Sequence, residues 1–223
     1  MSVWPLARTR VSWHEKKAMD APDLIAVRDS ILEEALPAVA FEGWSREVLR
    51  KAAHRAGHPP DMADAAFAGG PTAAIDHFSD LADRKMLKAL ENISMEALKI
   101  RDRVRLAILT RLDVLAPHRE AVRLSAARWA LFPRAEGVRA LWRTADRIWK
   151  RAGDTSTDYN RYTKRSLLVG VLVSTTLAWV GDTDPHCART KAFLDRRIEN
   201  VMTLGRVIGR FKKRPAPRQE TAP

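Results

Sequence analysis

The chain has little of what disulfide-bonded, zinc-binding and β-sheet proteins are built from. Cys187 is the only cysteine, so an intramolecular disulfide and a cysteine-built zinc site are both excluded, and a reducing compartment is expected. With only 2 tyrosines and no long alternation of Val, Ile and Thr, the sequence disfavours β-sheets. A hydrophobic content of 46% nevertheless indicates a folded core, so we predict an all-α protein.

The motifs of nucleotide-binding and di-iron enzymes are also missing. Gly69 and Gly70 form no GxxxxGK[ST] phosphate loop, and no histidine has a glutamate three residues before it, as di-iron helix bundles require. His54 and His58 have metal-like spacing, but a helix end at Gly57 would separate them, so surface histidines are the simpler interpretation. We expect a protein that is not an enzyme and binds neither a cofactor nor a metal.

No segment has the length of a transmembrane helix. The uncharged run at 166–180 is shorter than the roughly 20 residues that span a bilayer, so it predicts a buried central helix. The first residues carry arginine and tryptophan rather than the apolar core of a secretory signal. A cytoplasmic location is therefore expected.

The net charge of +12 is unevenly distributed. Residues 1–100 hold 13 Lys/Arg and 15 Asp/Glu, a balance of −2, whereas residues 101–223 hold 26 and 12, a balance of +14. A basic surface, if there is one, must therefore belong to the second half of the chain.

Hydrophobic periodicity predicts about nine helices, three short and then six long, which is the layout of a repressor-type fold. We expect Pro37 to end or kink the first helix, and we expect Ser45 to cap the second. The predicted helices cover 24–39, 45–56, 62–67, 71–92, 94–115, 118–132, a segment around Trp142 and Trp149, 158–180 and 185–211.

The predicted organisation is a flexible arm (1–22), a helix-turn-helix-like subdomain (23–70), a larger helical domain (71–211) and a basic disordered tail (212–223).

The first three helices have the spacing of a helix-turn-helix unit. The third would enter the DNA groove, but the segment from Pro59 to Ala68 contains Asp61 and Asp64 and no lysine or arginine, which would bring negative charge against phosphates. The unit is therefore predicted to be degenerate. Contact with a DNA backbone stays open through the cations of the second helix, which are Arg46, Arg50, Lys51 and Arg55.

Four of the 7 tryptophans lie in the helices predicted after residue 117. Trp142 and Trp149 are seven residues apart and share a helix face, while Trp129 and Trp179 belong to neighbouring helices. Aromatic core packing is the first interpretation. The second is a wide apolar pocket for an isoprenoid or acyl chain.

The segment GDTSTDYNRYTKR, residues 153–165, is the most distinctive of the chain. Gly153 predicts a helix end, and the Thr-Ser-Thr-Asp that follows offers caps for the next helix. With LWRTADRIWKRAG before it and KAFLDRRIENVM after it, this segment resembles the family called coenzyme Q biosynthesis protein nine. The resemblance covers about residues 23–205, in several unusual motifs in the same order.

The resemblance implies an all-α, tetracycline-repressor-like fold and a homodimer formed by the helices predicted at 158–180 and 185–211. It also implies a lipid-binding protein of ubiquinone biosynthesis that presents an isoprenoid quinone precursor to the demethoxyubiquinone hydroxylase at the membrane. It favours the pocket interpretation of the tryptophans. We expect lipid contacts from Trp129, Trp142, Trp149, Leu168, Leu172, Thr175 and Trp179.

In the resembled family, the positions that match Asp146, Ile148, Arg161 and Tyr162 form a surface patch that docks the hydroxylase. This sequence departs from the pattern because the family usually has tryptophan where Arg161 stands. An apolar anchor is thereby exchanged for a cation, which puts docking or its affinity in question. For Asp146 the alternative is an ordinary ion-paired surface group.

The C-terminal segment is amphipathic and basic. Its cations could lie on the anionic inner face of the cytoplasmic membrane, although a final bundle helix with solvated arginines is an equal alternative. The expected membrane contacts are Arg206, Arg210, Phe211, Lys212 and Lys213. Two further classes stay open: a repressor-type DNA-binding regulator that senses a lipid, and a membrane-surface scaffold without a pocket.

Overall fold

The structure, a computed structural model, describes residues 21–131, 135–156 and 159–212. Within these ranges it contains nine α-helices, one short 3-10 helix and no strand, which confirms the all-α prediction. The helices are α1 (Ala21–Glu42), α2 (Arg46–Arg55), α3 (Met62–Ala66), α4 (Pro71–Leu90), α5 (Ile100–Leu115), the 3-10 helix (Ala116–His118), α6 (Arg119–Leu131), α7 (Ala135–Arg151), α8 (Tyr159–Val180) and α9 (Ala188–Lys212).

Helices α1, α2 and α3 pack together as the predicted helix-turn-helix-like unit. The Val48 N–H donates to Ser45 Oγ at 3.1 Å, so Ser45 caps α2 as expected.

Pro37 does not end the first helix, which was one of its two predicted effects, because α1 continues through Pro37 to Glu42. Pro37 lies on the exposed side of α1, where water can solvate the carbonyl that proline leaves unpaired. Gly43, at φ +75°, follows the helix end instead.

Helix α4 is the central element, since it packs against α1, α5 and α7. The next helix begins at Ile100 rather than at residue 94. The residues before it are held in turns by Arg103, whose guanidinium donates to Leu98 O at 2.9 Å and to Glu96 O at 3.1 Å. Hydrogen bonds from this nearby side chain to the backbone thus stabilise turns where periodicity predicts helix.

Helices α8 and α9 pack on each other and on α5. Helix α9 begins at Ala188, whereas Pro185 lies in the preceding turn. The Asp184 carboxylate accepts the Ala188 N–H at 2.8 Å and so supplies a hydrogen bond to a first-turn donor of α9. The predicted arm (1–22) and tail (212–223) lie outside the described residues, except that Ala21, Pro22 and Lys212 are helical.

Candidate functional site

A pocket of about 340 Å³ lies between α4, α5, α6, α7 and α8. Its α8 side is exposed to solvent, with Val173 at 38% and Leu177 at 56% exposure, whereas its α4 and α5 sides are buried. The volume is near the lower end of the range for small-molecule sites. The lining residues are Ile75, Phe78, Ser79, Arg111, Leu115, Val122, Ser125, Ala126, Trp129, Ala130, Leu141, Val173, Thr176 and Leu177.

The pocket wall is apolar apart from a few polar groups. On the side of α4 and α5, the Arg111 guanidinium donates to Ser79 Oγ at 3.0 Å and to the Asp83 carboxylate at 2.8 Å. On α6, the Ser125 hydroxyl donates to Ala121 O at 2.7 Å. An apolar cavity with a few oriented polar groups is the usual form of a ligand site.

Asp83 is fully buried and is the centre of the Asp83 cluster, which comprises Asp83, Arg111, Thr144 and Arg147. Its carboxylate accepts bonds from Arg111, from Thr144 Oγ1 at 2.8 Å and from Arg147 at 3.2 Å. A buried carboxylate is costly without partners, and these three donors supply them. The cluster fixes the Arg111 guanidinium at the pocket wall.

The ion pairs continue from Asp83 toward α1. Arg147 pairs with Asp80 at 2.8 Å, Asp80 with Arg84 at 2.9 Å, and Arg84 with Asp29 at 2.6 Å. Burial raises the pKa of Asp80, but bonds from Arg84 and Arg147 outweigh it, so that the pKa lies below its ordinary value. The pocket wall is thus linked by charge pairs to the N-terminal unit.

Trp129 is the one predicted lipid contact that lines this pocket. Its ring packs on Gly137, where an added Cβ would approach Trp129 Cδ2 to 3.3 Å, so α6 and α7 are close at this point. Its indole Nε1 is buried and has no hydrogen-bond partner among the described residues. Such an orphan donor is costly unless a ligand or water satisfies it.

The other predicted lipid contacts lie elsewhere, which corrects the expected position of the pocket. Leu168, Leu172, Thr175 and Trp179 form the buried face of α8 and belong to the packed interior. The pocket instead uses the adjacent face of α8, which carries Val173, Thr176 and Leu177. Helical spacing identifies the buried face but does not show where packing leaves a gap.

Two tryptophans of α7 are also separated from the pocket. Trp149 is buried, donates from Nε1 to Lys164 O at 3.1 Å, and borders a second, much smaller cavity with Leu168. The Trp142 ring lies 6.1 Å from the Tyr162 ring, centroid to centroid. The shared α7 face predicted for Trp142 and Trp149 therefore serves α7–α8 packing rather than the main cavity.

The residues predicted to dock a partner are only partly exposed. Tyr162 is 61% exposed and the Arg161 side chain 42%, but Ile148 is fully buried and cannot contact a partner with its side chain. Ile148 is therefore corrected to a core position.

The fourth predicted docking residue, Asp146, is ion-paired. Its carboxylate pairs with Arg165 at 2.6 Å and with Lys150 at 2.8 Å. Burial raises the pKa of Asp146, and bonds from Lys150 and Arg165 outweigh it and lower the pKa.

Arg165 is the centre of a second buried group of charges, the Arg165 cluster, comprising Asp146, Asp154, Lys164 and Arg165. The side chain of Arg165 is only 2% exposed and bridges Asp146 to Asp154, the latter at 3.1 Å. Gly153, at φ +93°, ends α7 as predicted and brings Asp154 into position. The distinctive 153–165 motif thus closes the corner between α7 and α8.

Two cations of the N-terminal unit are ion-paired with a carboxylate of α3. Arg46 and Arg50 of α2 bind the Asp64 carboxylate of α3 at 2.9 Å and 2.7 Å. Hydrogen bonding by Arg50 lowers the pKa of Asp64, and Arg46 adds to this effect. Asp64 thus occupies two cations that phosphate contacts would require.

In the described ranges, no helix has the length and hydropathy to cross a bilayer, and no group of three or more His, Cys, Asp or Glu could hold a metal. The expected membrane contacts Arg206, Arg210, Phe211 and Lys212 fall on the α9 backbone, but their side chains lie outside the described part. Lys213 lies outside it altogether.

Sequence reasoning missed most of the pocket. Ser79, Arg111 and Ser125 were not singled out, and Ser79 and Arg111 are 32 positions apart in the chain although they are hydrogen-bonded. A polar residue on the buried side of an amphipathic helix, such as Ser79 beside Phe78 and Leu81, was the available signal.

Residues 135–205 match the family model described as COQ9. The chain is 30% identical to the Rattus norvegicus "Ubiquinone biosynthesis protein COQ9, mitochondrial", an alignment that covers 93% of this chain and 68% of the relative. It is 28% identical to the Homo sapiens protein of that name, over 82% of this chain and 59% of the human protein's length. Its fold is similar to that of a TetR transcriptional regulator from Nitrosomonas europaea, with a TM-score of 0.62, 23% identity, and coverage of 80% of this chain and 99% of the regulator.

Proposed function

The chain belongs to the COQ9 family, and from that premise we propose that it is a non-enzymatic lipid-binding protein of ubiquinone biosynthesis that holds an isoprenoid quinone precursor in the pocket between α4 and α8. The observation that carries the proposal is the pocket itself, an apolar cavity of about 340 Å³ whose buried wall presents Arg111 and Ser79. Its chemistry would be burial and orientation, while a partner enzyme performs the reaction.

The size of the pocket sets the part of the ligand that it can enclose. At about 340 Å³ the pocket is near the lower end of the range for small-molecule sites, so we expect it to enclose the ring head and not the whole of a long isoprenoid chain. The isoprenoid tail would leave on the solvent-exposed α8 side, past Val173 and Leu177. Exposed apolar side chains at that opening are suited to a tail that continues toward a membrane or a second subunit.

We propose that the ligand is presented to the demethoxyubiquinone hydroxylase by a homodimer on the inner face of the cytoplasmic membrane. The docking surface would be the exposed Tyr162 ring with the half-buried Trp142 and Arg161 beside it, since aromatics and arginine are the usual anchors of interfaces. Helices α8 and α9 would form the dimer. The basic residues from Arg206 to Lys213 would provide membrane attraction.

The test of ligand binding is native mass spectrometry of the purified protein, followed by organic extraction and identification of the lipids. About one quinone precursor for each subunit of a dimer is expected. A monomer, or a protein without lipid even after incubation with membranes, would contradict the dimer or the carrier proposal respectively.

Docking is tested separately by capture of the purified hydroxylase on immobilised protein. Tyr162→Ala is expected to reduce capture strongly, whereas Arg139→Ala, on an exposed part of α7, should leave it unchanged. Equal capture by both variants would move the docking surface elsewhere.

The alternative is a DNA-binding regulator that senses a lipid in the same pocket, and the repressor-like fold favours it. The ion pairs of Asp64 with Arg46 and Arg50 oppose it, because they occupy cations that phosphates would need. Fluorescence anisotropy with genomic fragments at two salt concentrations discriminates the two functions. Sequence-selective binding that survives moderate salt would favour the regulator.

A further inference from the structure

A groove of about 420 Å³ lies between the end of α8 and the first half of α9. Its apolar lining is formed by Ala178 of α8 together with Ala192 and Phe193 of α9. Tyr162 of the proposed docking surface lies near the other end of α8, and the sixteen positions between Tyr162 and Ala178 correspond to about 24 Å of helix. The groove is therefore a separate surface.

Arginines lie at both ends of this apolar lining. Arg189 and Arg196 are exposed, line the groove and are seven residues apart on α9, so they share a helix face at a separation of about 10 Å. Neither arginine forms an ion pair with a residue that the structure describes. Lys191 and Arg197 add exposed positive charge beside them, with Arg197 over the Phe193 ring at 5.0 Å.

The carboxylates near the groove are already used by other partners. Asp182 is buried and accepts from the Thr190 N–H at 2.9 Å and from the Thr190 hydroxyl at 2.6 Å. Asp184 accepts a first-turn N–H of α9, and Asp195 pairs with Arg105 of α5. The guanidinium groups at the two ends of the groove thus keep their donors for an acceptor from outside the chain.

A second copy of the chain is a poor occupant of this groove. In a two-fold interface the same patch meets itself, so Arg189 and Arg196 would come close to the same arginines of the other subunit. No carboxylate is exposed among the described residues that line the groove, so like charges would be brought together there. The dimer proposed above is better served by the uncharged exposed face of α8, which carries Gly170, Val173 and Leu177.

We propose that the groove binds an acidic segment of a partner protein, in the form of a helix that carries apolar residues between two carboxylates seven positions apart. The carboxylates would pair with Arg189 and Arg196, and the apolar residues would cover Ala192 and Phe193. A membrane surface is flat, and nucleic acid offers phosphates without apolar side chains, so neither fills a groove between two helices. The inference is independent of the proposed ligand, because the groove and the ligand pocket share no lining residue.

The probe is an alanine-rich helical peptide of about 20 residues, with two glutamates seven positions apart and two leucines between them. Binding of the labelled peptide to the full chain is measured by fluorescence anisotropy at about 0.15 M salt. The peptide is expected to bind about tenfold more tightly than a version with glutamine at both acidic positions, since two ion pairs are lost. Equal binding of the two peptides, or no binding of either, would overturn the proposal.

Two variants separate the charged and the apolar contacts. Arg196→Glu should weaken the acidic peptide about tenfold or more, and one of the two peptides with a single glutamate changed to lysine should recover most of this loss, because the ion pair is restored with opposite signs. Phe193→Ala should weaken the acidic and the glutamine peptides by the same factor, since apolar contact does not depend on their charge. The matched control is Arg139→Glu on α7, an exposed arginine that does not line the groove.

Other occupants give different outcomes. If Arg196→Glu, but not Arg139→Glu, weakens binding to phosphatidylserine vesicles or to random-sequence duplex DNA as strongly as binding to the acidic peptide, the groove is a general anion-binding surface and the proposal is overturned. If native mass spectrometry shows that Arg196→Glu or Phe193→Ala converts a dimer to monomers, the groove is a subunit interface and the proposal is also overturned. Co-purification of lipid should be unchanged in both variants, which keeps this test separate from that of the carrier function.

Discussion

The Asp83 cluster and the Arg165 cluster each contain an almost fully buried charge, yet only the first borders a cavity. Arg165 is enclosed by Asp146 and Asp154 from neighbouring segments and joins α7 to α8. Asp83 instead holds Arg111, which also lines the pocket. A buried ion pair is thus by itself no indication of a ligand site. A charged side chain indicates a ligand site when a partner fixes its position and the side chain also lines a cavity.

The largest effect that we predict comes from removal of the charge that serves packing alone. Arg165→Met would leave Asp146 and Asp154 without their shared buried cation, and the loss of such a partner costs about 3–5 kcal/mol. The measurement is chemical denaturation of the variant beside the wild type. The affinity of the folded fraction for decyl-benzoquinone, a short-chain quinone probe, should stay unchanged, because this cluster does not line the pocket.

Arg161→Met is the matched control for that variant. Its guanidinium also contacts Asp146, at 3.4 Å, but its side chain is 42% exposed, so the change should cost about 1 kcal/mol or less. If the two variants lose the same unfolding free energy, the burial of Arg165 does not increase its contribution to stability above that of Arg161.

The second prediction concerns the cluster at the pocket. Asp83→Asn keeps the size of the side chain but removes one negative charge, so we expect a loss of about 2–3 kcal/mol in unfolding free energy. Without this negative charge the ion-pair network carries a net positive charge. The affinity for decanoate, an anionic probe with a chain of the same length, should therefore increase about tenfold relative to the affinity for decyl-benzoquinone, because one charge–charge attraction is added in a partly buried site. An unchanged ratio of the two affinities would break the comparison, because the two clusters would then be equally remote from the ligand.

Local signals were sufficient for the ends of several helices. Ser45 and Gly153 have the predicted roles because a cap depends on residues a few positions away. The start of α5 was missed because the preceding turns are held by bonds from the Arg103 side chain to Leu98 O and Glu96 O, which hydrophobic periodicity does not report. Arg103 also donates to Ala152 O at 3.0 Å, a tertiary contact that no local pattern shows.

The functional surfaces were harder to predict for the same reason. Leu168, Leu172 and Trp179 of α8 were expected to contact lipid, but they are buried in the packed interior, and the pocket lies on the next face of α8. A cavity is the space that five helices leave between them, so its position depends on all their packing angles at once. The sequence analysis gave Arg165 no separate role, and its burial depends on pairing with Asp146 and Asp154, which lie 19 and 11 positions away.

The third prediction is a dependence of stability on pH in the Arg165 cluster. Burial raises the pKa of Asp154, but bonds from Lys164, Ser156 and Arg165 outweigh it and lower the pKa to about 2. A folded-state pKa below the unfolded value of 3.8 stabilises the protein above that value, and the contribution is lost as the pH falls toward 2. We expect this contribution to be on the order of 1–2 kcal/mol.

The measurement is urea denaturation of wild type and Asp154→Asn between pH 6 and pH 2. The difference in stability between the two proteins should be constant above about pH 5 and should shrink below it. A difference that stays constant down to pH 2 would mean that Asp154 is not held by its cations.

The smallest effect on stability is predicted for the exposed ion pairs of the N-terminal unit, which contrast with both buried clusters. Asp64→Ala removes the partner of Arg46 and Arg50, but all three side chains are partly exposed, so denaturation should not distinguish the variant from wild type. The released cations should instead increase the affinity for random-sequence duplex DNA severalfold at low salt, and this gain should vanish at moderate salt. Arg139→Ala, far from this unit in the chain, is the control. If Asp64→Ala gained binding to one genomic sequence alone, the surface would retain a sequence-reading capacity that a single carboxylate masks, and the regulator would become the better account of the fold.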